Sequence, residues 1–393
     1  MIYLTIVGCI VLFIFLLYID YILGKMLSAR NNHSMKWNTS TDDVTFFDSG
    51  QDLFEKMLKD IENAKTSIDV QFFIIRNDQI SNRFYSLLAQ KHAEGVEVRM
   101  LADWVGSFRY RKKWIKNRFP FFKMNHPRPP FFYHLQQRNH RKLLIIDQKI
   151  GYLGGFNLGE EYLGNDLKLG KWKDYHIRLT GEIARVFSQI FTTDWNKASL
   201  SYDRSFGEKE ANAEDVNICV MTSEANSLEK SILSMLSSAK RSIEIGSPYF
   251  IPTKPVLQAL VDARKRGVKI TILLPEKGDH PITKAGAMPY LKKMQEIGVD
   301  TYLYMDGFFH GKVLFIDEEI CDFGTGNFDQ RSLLLNEEIN VIVKKDHPLY
   351  QDARACFTHD LNTSKKLTLT WIKHQPLWMK LLTVISVPLR RFL

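Results

Sequence analysis

HRKLLIIDQKIGYLGGFN, residues 140–157, and HGKVLFIDEEICDFGTGN, residues 310–327, are two versions of one pattern. His, Lys, Asp, Gly and Asn recur between them at a single offset of 170. Each His-x-Lys opens an apolar run, Leu143–Ile146 or Val313–Ile316, short enough to be a buried strand. Outward from this pair the repeat continues. AKTSIDVQFFII (64–75) is similar to AKRSIEIGSPYF (239–250) at offset 175, and EGVEVR (94–99) to RGVKIT (266–271) at offset 172. Such drift is what short loop insertions produce, so the chain reads as a duplicated unit over 45–205 and 215–362. The polar stretch SYDRSFGEKEANAED, near 200–215, is the expected linker. Within a unit, 53–64 and 81–94 have helical spacing, whereas 67–75 and 96–102 read as strands. The expected fold class is α/β: two duplicated units, each a sheet flanked by helices, form one bilobal catalytic body.

The rest of the composition is that of an ordinary globular chain. It has 393 residues, 45% hydrophobic and 25% charged, which excludes a disordered or collagen-like polymer. A mean hydropathy of −0.20 excludes a polytopic membrane protein. Cys9, Cys219, Cys321 and Cys356 are too scattered for a disulfide scaffold or a zinc site. Residues 2–19 carry no charge, and the apolar stretch reaches Leu23. About 20 such residues span a bilayer core, so residues 1–24 are expected to be one transmembrane helix. Lys25, Arg30 and Lys36 follow it and no Lys or Arg precedes it, which places the body on the cytoplasmic side of the cell membrane. Residues 363–393 contain no acid but six basic residues among Trp371, Trp378, Leu381, Leu382 and Ile385, the composition of an interfacial tail.

The repeated motif carries chemistry. Residues two apart on an extended strand share a face, so His140 goes with Lys142 and His310 with Lys312. Two copies supply two imidazoles and two ammonium groups, a set suited to displacement at a phosphodiester. One imidazole attacks phosphorus while the other handles the proton of the alcohol. Asn157, Asn327, Lys142 and Lys312 are the candidate ligands of the phosphate oxygens. The candidate catalytic set is His140, Lys142, Asp147, His310, Lys312 and Asp317. Within it Asp147 and Asp317 read as structural, each ending a strand and tying the next turn. No clustered metal-ligand pattern is present, and neither a metal nor another cofactor is expected.

These motifs resemble the paired HKD motifs of the phospholipase D superfamily. NHRKLLIIDQKIGYLGGFNLGEEY, SPYFIP, HGKVLFID and GTGNFDQRSLLLNEEIN resemble the bacterial cardiolipin synthases, and the resemblance covers roughly 45–393. It implies transfer of a phosphatidyl group between two phosphatidylglycerol molecules, giving cardiolipin and glycerol through a phosphohistidine. Family habit makes His140 the nucleophile and His310 the acid and base, an assignment the sequence alone leaves open. It also implies that each histidine is oriented by a downstream carboxylate, the matching positions being Asp174 and Glu338. Gly155 departs from the superfamily, which often has Ser there. The relatives that carry two N-terminal spans differ from the single span read here.

From Arg109 to Lys142 there are eleven basic residues and no acid; without them the net charge of +9 becomes −2. Aromatic residues are interleaved, among them Phe108, Tyr110, Trp114, Phe121 and Phe131. Such a segment suits either single-stranded nucleic acid or an anionic bilayer. The preceding span favours the bilayer, so the expected partners are anionic phospholipid and the membrane rather than nucleic acid. The rival readings are a phospholipase D that hydrolyses to phosphatidic acid, a metal-independent nucleic-acid phosphodiesterase, and a non-catalytic lipid-binding scaffold.

Overall fold

Strands that are apolar on both faces need cover on both sides, and the chain supplies it. In the computed structural model, which describes residues 2–30, 34–111, 114–115, 118–164, 169–200 and 216–393, two sheets stand back to back. The first has seven strands, in spatial order Val44–Phe47, His176–Thr180, Ile150–Gly154, Leu143–Ile146, Ser67–Phe72, Glu97–Asp103 and Phe121–Met124. The second has nine, and its seven central strands repeat that order: Ile218–Ser223, Glu338–Lys344, Ile320–Gly324, Val313–Ile316, Ser242–Gly246, Lys269–Pro275 and Asp300–Tyr304. In both, the strand that follows the His-x-Lys lies antiparallel to its neighbour, and the next pairs are parallel.

Alternation sorts the side chains into layers. Ile68, Val70, Leu144 and Ile146 face outward onto the helices Gly50–Glu62 and Gln79–Ala93. Leu143 and Ile145 face inward with Tyr175 and Ile177, and there meet Val313, Phe315, Phe323 and Ile339 of the second unit in one shared core. The helices Glu182–Ser199 and Pro348–Asn362 fill the same layer with Phe187, Phe191, Ala353 and Phe357. Fully burying such side chains stabilises by about 1.5–3 kcal/mol each, so this common layer holds the units together.

The boundaries between units are less tidy than the repeat suggests. The strand Lys36–Thr39, just after the N-terminal helix, pairs with Ile218–Ser223 of the second unit before the chain enters the first. The tail does not hang free. Lys365–Lys366 adds an edge strand beside Asp300–Tyr304, and the helix Leu377–Ser386 packs on the helix Pro281–Glu296. Its other face leaves Leu377, Trp378, Leu381 and Val384 exposed. The basic-aromatic insert is also built in: Phe121–Met124 is the edge strand of the first sheet, and Phe119 and Tyr133 are buried. Its Lys112, Lys113 and Lys116, and the linker at 201–215, lie outside the described residues. The N-terminal helix runs Ile2–Arg30. Among the described residues no helix is long and apolar enough to cross a membrane; several side chains of Ile2–Arg30 are outside that set. Tyr21 of this helix packs on Tyr133 at 5.9 Å and on Phe392 at 5.2 Å, and Phe132 meets Phe392 at 5.1 Å. Helix, insert and tail thus converge on one aromatic cluster.

Candidate active site

Two parallel bridges between the units position the chemistry. Asn139 pairs with Glu337, and Phe308–Phe309 pairs with Trp172–Lys173. The next residue of each segment is thereby set beside its counterpart. His140 Nδ1 lies 2.9 Å from Glu338 Oε2, and His310 Nδ1 lies 2.5 Å from Asp174 Oδ2. The pairing crosses between units. Glu338 of the second unit meets His140, and Asp174 of the first unit, which precedes His310 in the chain, meets His310; this corrects the reading that each histidine takes the carboxylate downstream of it in its own unit. The cause is the parallel bridging, which aligns the end of one unit's strand with the other unit's motif. With both Nδ1 atoms bound, Nε2 is the nitrogen each ring offers to the cavity of about 510 Å³ that His140 and His310 line together.

Gly155 is explained by this arrangement. A Cβ placed there would lie 2.0 Å from Asp174 Oδ1. The matched residue of the second unit is Thr325, whose hydroxyl donates to Glu338 Oε2 at 2.6 Å. One unit holds its carboxylate with a hydroxyl, and the other makes room for it.

Asn157 and Asn327 line the same cavity. Asn157 Oδ1 accepts from the Ile74 amide at 3.0 Å, whereas Asn327 Oδ1 is buried without a partner. Lys142 and Lys312 are not on the cavity wall. Each folds back behind its own histidine and donates to that residue's carbonyl, Lys142 at 2.7 Å. Burial pushes the Lys142 ammonium down to about 7, against the pull of Glu338. Burial also raises Asp174 and Glu338, but interactions with their neighbours outweigh it: Lys312 and the hydrogen-bonded His310 for the first, the hydrogen-bonded His140 and Lys142 for the second. Both carboxyls stay below their usual range.

Asp147 and Asp317 lie away from the cavity. Asp147 accepts from the amides of Lys65, Thr66 and Ser67, and Asp317 from those of Lys240, Arg241 and Ser242. Each ties its motif strand to the start of the neighbouring strand, so neither touches the reacting groups. Asp147→Ala and Asp317→Ala should each lower unfolding stability by about 2 kcal/mol, the worth of charge-assisted bonds to amides. Denaturant titration reads this; unchanged stability with lost turnover would return them to the chemistry.

Burial also sets the imidazoles. It lowers His140 from 6.5 to about 4, with Glu338 opposing and Lys142 adding, and it lowers His310 together with Lys312. His176, fully buried with neither ring nitrogen partnered, is lowered to about 3. An unfolded histidine takes its proton near 6.5, so between there and the folded values the unfolded chain binds more protons. The stabilisation is complete above about pH 6.5 and is lost as pH falls toward 4. Thermal melts of the detergent-purified chain should show Tm falling steadily below about pH 6.5. A flat Tm down to pH 4.5 would mean these rings are not held neutral.

The cavity also contains residues that motif reading did not single out. Tyr249 donates to Asp279 at 2.5 Å, and both line the wall. Arg331 lines it as well, at the place where the first unit has Glu161, itself paired with Arg76 at 2.8 Å. Tyr249 and Arg331 fall inside SPYFIP and GTGNFDQRS, where a polar residue in one repeat faces a dissimilar one in the other; Asp279 has no such signal.

Comparison with known proteins gives the family. The family described as "Cardiolipin synthase, PLD-like domain" matches residues 57–195 and 232–361. The minor cardiolipin synthase ClsB of Bacillus subtilis is 36% identical over 373 residues, covering 94% of this chain and 94% of its own. The major cardiolipin synthase ClsA of the same organism is 36% identical over 370 residues, 91% of this chain and 76% of its own. Among solved structures, the phosphatidylserine synthase of Haemophilus influenzae superposes with a TM-score of 0.72 at 14% identity. It covers 94% of this chain and all of its own, a likeness of fold. A duplicated fold, a shared two-histidine cavity and these matches along most of the sequence lead to one assignment: the chain belongs to the cardiolipin synthase family of phospholipase D-like proteins.

Proposed function

We propose that the cavity transfers a phosphatidyl group from one phosphatidylglycerol to another, by a two-histidine mechanism. The observation that carries this is the pair of Nδ1-anchored imidazoles on one cavity, each with a buried carboxylate from the opposite unit. His140 Nε2 attacks phosphorus, the phosphorus–oxygen bond to glycerol breaks, and His310 gives that oxygen its proton. His310 then takes the proton of a hydroxyl on the second phosphatidylglycerol. That oxygen displaces Nε2 of His140 and releases cardiolipin. Burial keeps both rings neutral while the site is empty; the phosphodiester anion offsets that effect and lets His310 carry the proton it must donate. The same anion offers Lys142 and Lys312 a better acceptor than a backbone carbonyl, drawing them toward its oxygens beside Asn157 and Asn327. Phe73 and Trp172 stand against the rings of His140 and His310 at 5.0 and 4.9 Å and limit access of water, which favours transfer over hydrolysis.

The same reading mounts the body on the cytoplasmic face of the cell membrane. The uncharged stretch 2–19 in the helix Ile2–Arg30 serves as a single span. The aromatic cluster joins that helix to the insert and to the tail, whose helix Leu377–Ser386 keeps an exposed apolar face, and this supports mounting on a bilayer surface.

The test is product analysis by mass spectrometry after incubation with phosphatidylglycerol in the presence of EDTA. Cardiolipin with free glycerol is expected. Phosphatidic acid alone would make the chain a hydrolase, and cleavage of a single-stranded oligonucleotide with the lipid untouched would favour the nuclease reading.

A further inference from the structure

We propose that a second cavity, between the N-terminal helix and the insert, binds the phosphodiester headgroup of an anionic phospholipid separately from the catalytic cavity. It measures about 860 Å³, and its walls come from Leu27 of the helix, Lys123, His126 and Arg128 of the insert, and Lys197 and Glu337 of the two units.

Its charges do not cancel. Lys197 Nζ is held by Glu224 at 2.8 Å, and the Glu337 carboxylate by Asn139 at 2.7 Å. Asn139 is neutral, so Glu337 leaves one negative charge against the two positive groups of the insert, Lys123 and Arg128. Lys123 donates to the Ser107 carbonyl at 2.9 Å and lies over the Tyr110 ring at 5.1 Å, and Arg128 is exposed. The Arg128 guanidinium and the His126 imidazole, with Lys123 on the same wall, suit the oxygens of a phosphodiester.

A free phosphate would use only the polar part of this lining. The lining also holds apolar side chains, Leu27 54% and Leu200 91% exposed, which suit the start of an acyl chain. The helix that supplies Leu27 is the one whose 2–19 stretch is uncharged, so the cavity lies just past that stretch, at headgroup level. This placement rests on the membrane reading given above.

The two cavities share a wall. Arg138 lines the catalytic one, while its guanidinium donates to the carbonyls of Asn125 and His134, which belong to the second, and to Asp103 Oδ1 at 3.1 Å. Glu337, next to Glu338 and bridged to Asn139, which precedes His140, is part of its lining. A lipid bound there waits one side chain away from a reaction that consumes two lipids per turnover.

Native mass spectrometry of the full chain in detergent tests this, with His140→Ala in every sample so that lipid is not consumed. Two bound phosphatidylglycerol molecules are expected. Adding Arg128→Glu and His126→Ala should weaken the second by about tenfold or more and spare the first. Three outcomes overturn the site: two lipids bound with unchanged affinity in the variant, phosphatidylcholine retained equally well, or inorganic phosphate alone displacing the second lipid. Failure of the unsubstituted chain to make cardiolipin would overturn the transferase reading instead, and the lipid count would still decide the site.

Discussion

His140→Ala and His310→Ala are each expected to lower cardiolipin formation by about 10³-fold or more, with the fold retained. Neither imidazole has a substitute among the described residues: His280, the third histidine on the cavity, is 71% exposed beside Asp279, and the lysines lie behind the two motif rings. The two losses differ in kind. With a phosphodiester whose alcohol leaves without protonation, such as a p-nitrophenyl ester, the acid is no longer needed in the first step. His310→Ala should then release one equivalent of nitrophenol rapidly and stall as a phosphohistidine, found by peptide mapping at His140. His140→Ala should give no burst. A burst in the opposite variant would exchange the roles, and near-native rates in both would remove two-histidine chemistry altogether.

Gly155→Thr is expected to cost about 10²-fold or more in kcat/KM and to lower stability by about 3 kcal/mol. The backbone there cannot yield easily, because the Gly155 amide donates to the Tyr175 carbonyl at 2.9 Å at the end of a paired strand. The added Cβ would overlap Asp174, so the carboxylate must leave. His310 then loses the acceptor that fixes its tautomer, and Lys312 loses a buried counter-charge. The mirror change, Thr325→Gly, removes one donor to Glu338 and leaves that carboxylate on His140, so a loss of about tenfold is expected. Steady-state kinetics beside thermal melts separate the two. Gly155→Thr with native kcat/KM would mean that Asp174 does not orient His310.

The duplication, the motif strands, and the two histidines and two asparagines that line the cavity were legible in the sequence. These are local properties: alternation and spacing make Leu143–Ile146 and Val313–Ile316 strands in any α/β context, and both appear with those bounds. The resemblance on the same residues already pointed to the family. Only the tertiary structure decided which carboxylate serves which histidine. That depends on the parallel bridges Asn139–Glu337 and Phe309–Lys173, formed between segments more than a hundred residues apart, and no periodicity records such a contact. It also decided that the lysines rest behind the rings, and that Gly155 is the space Asp174 occupies. The insert shows the limit most clearly. Its composition reads as surface, yet Phe121–Met124 is a sheet strand, because an edge strand buries one side only and tolerates basic residues on the other. Composition reports what a segment can face; the packed fold selects which face it uses.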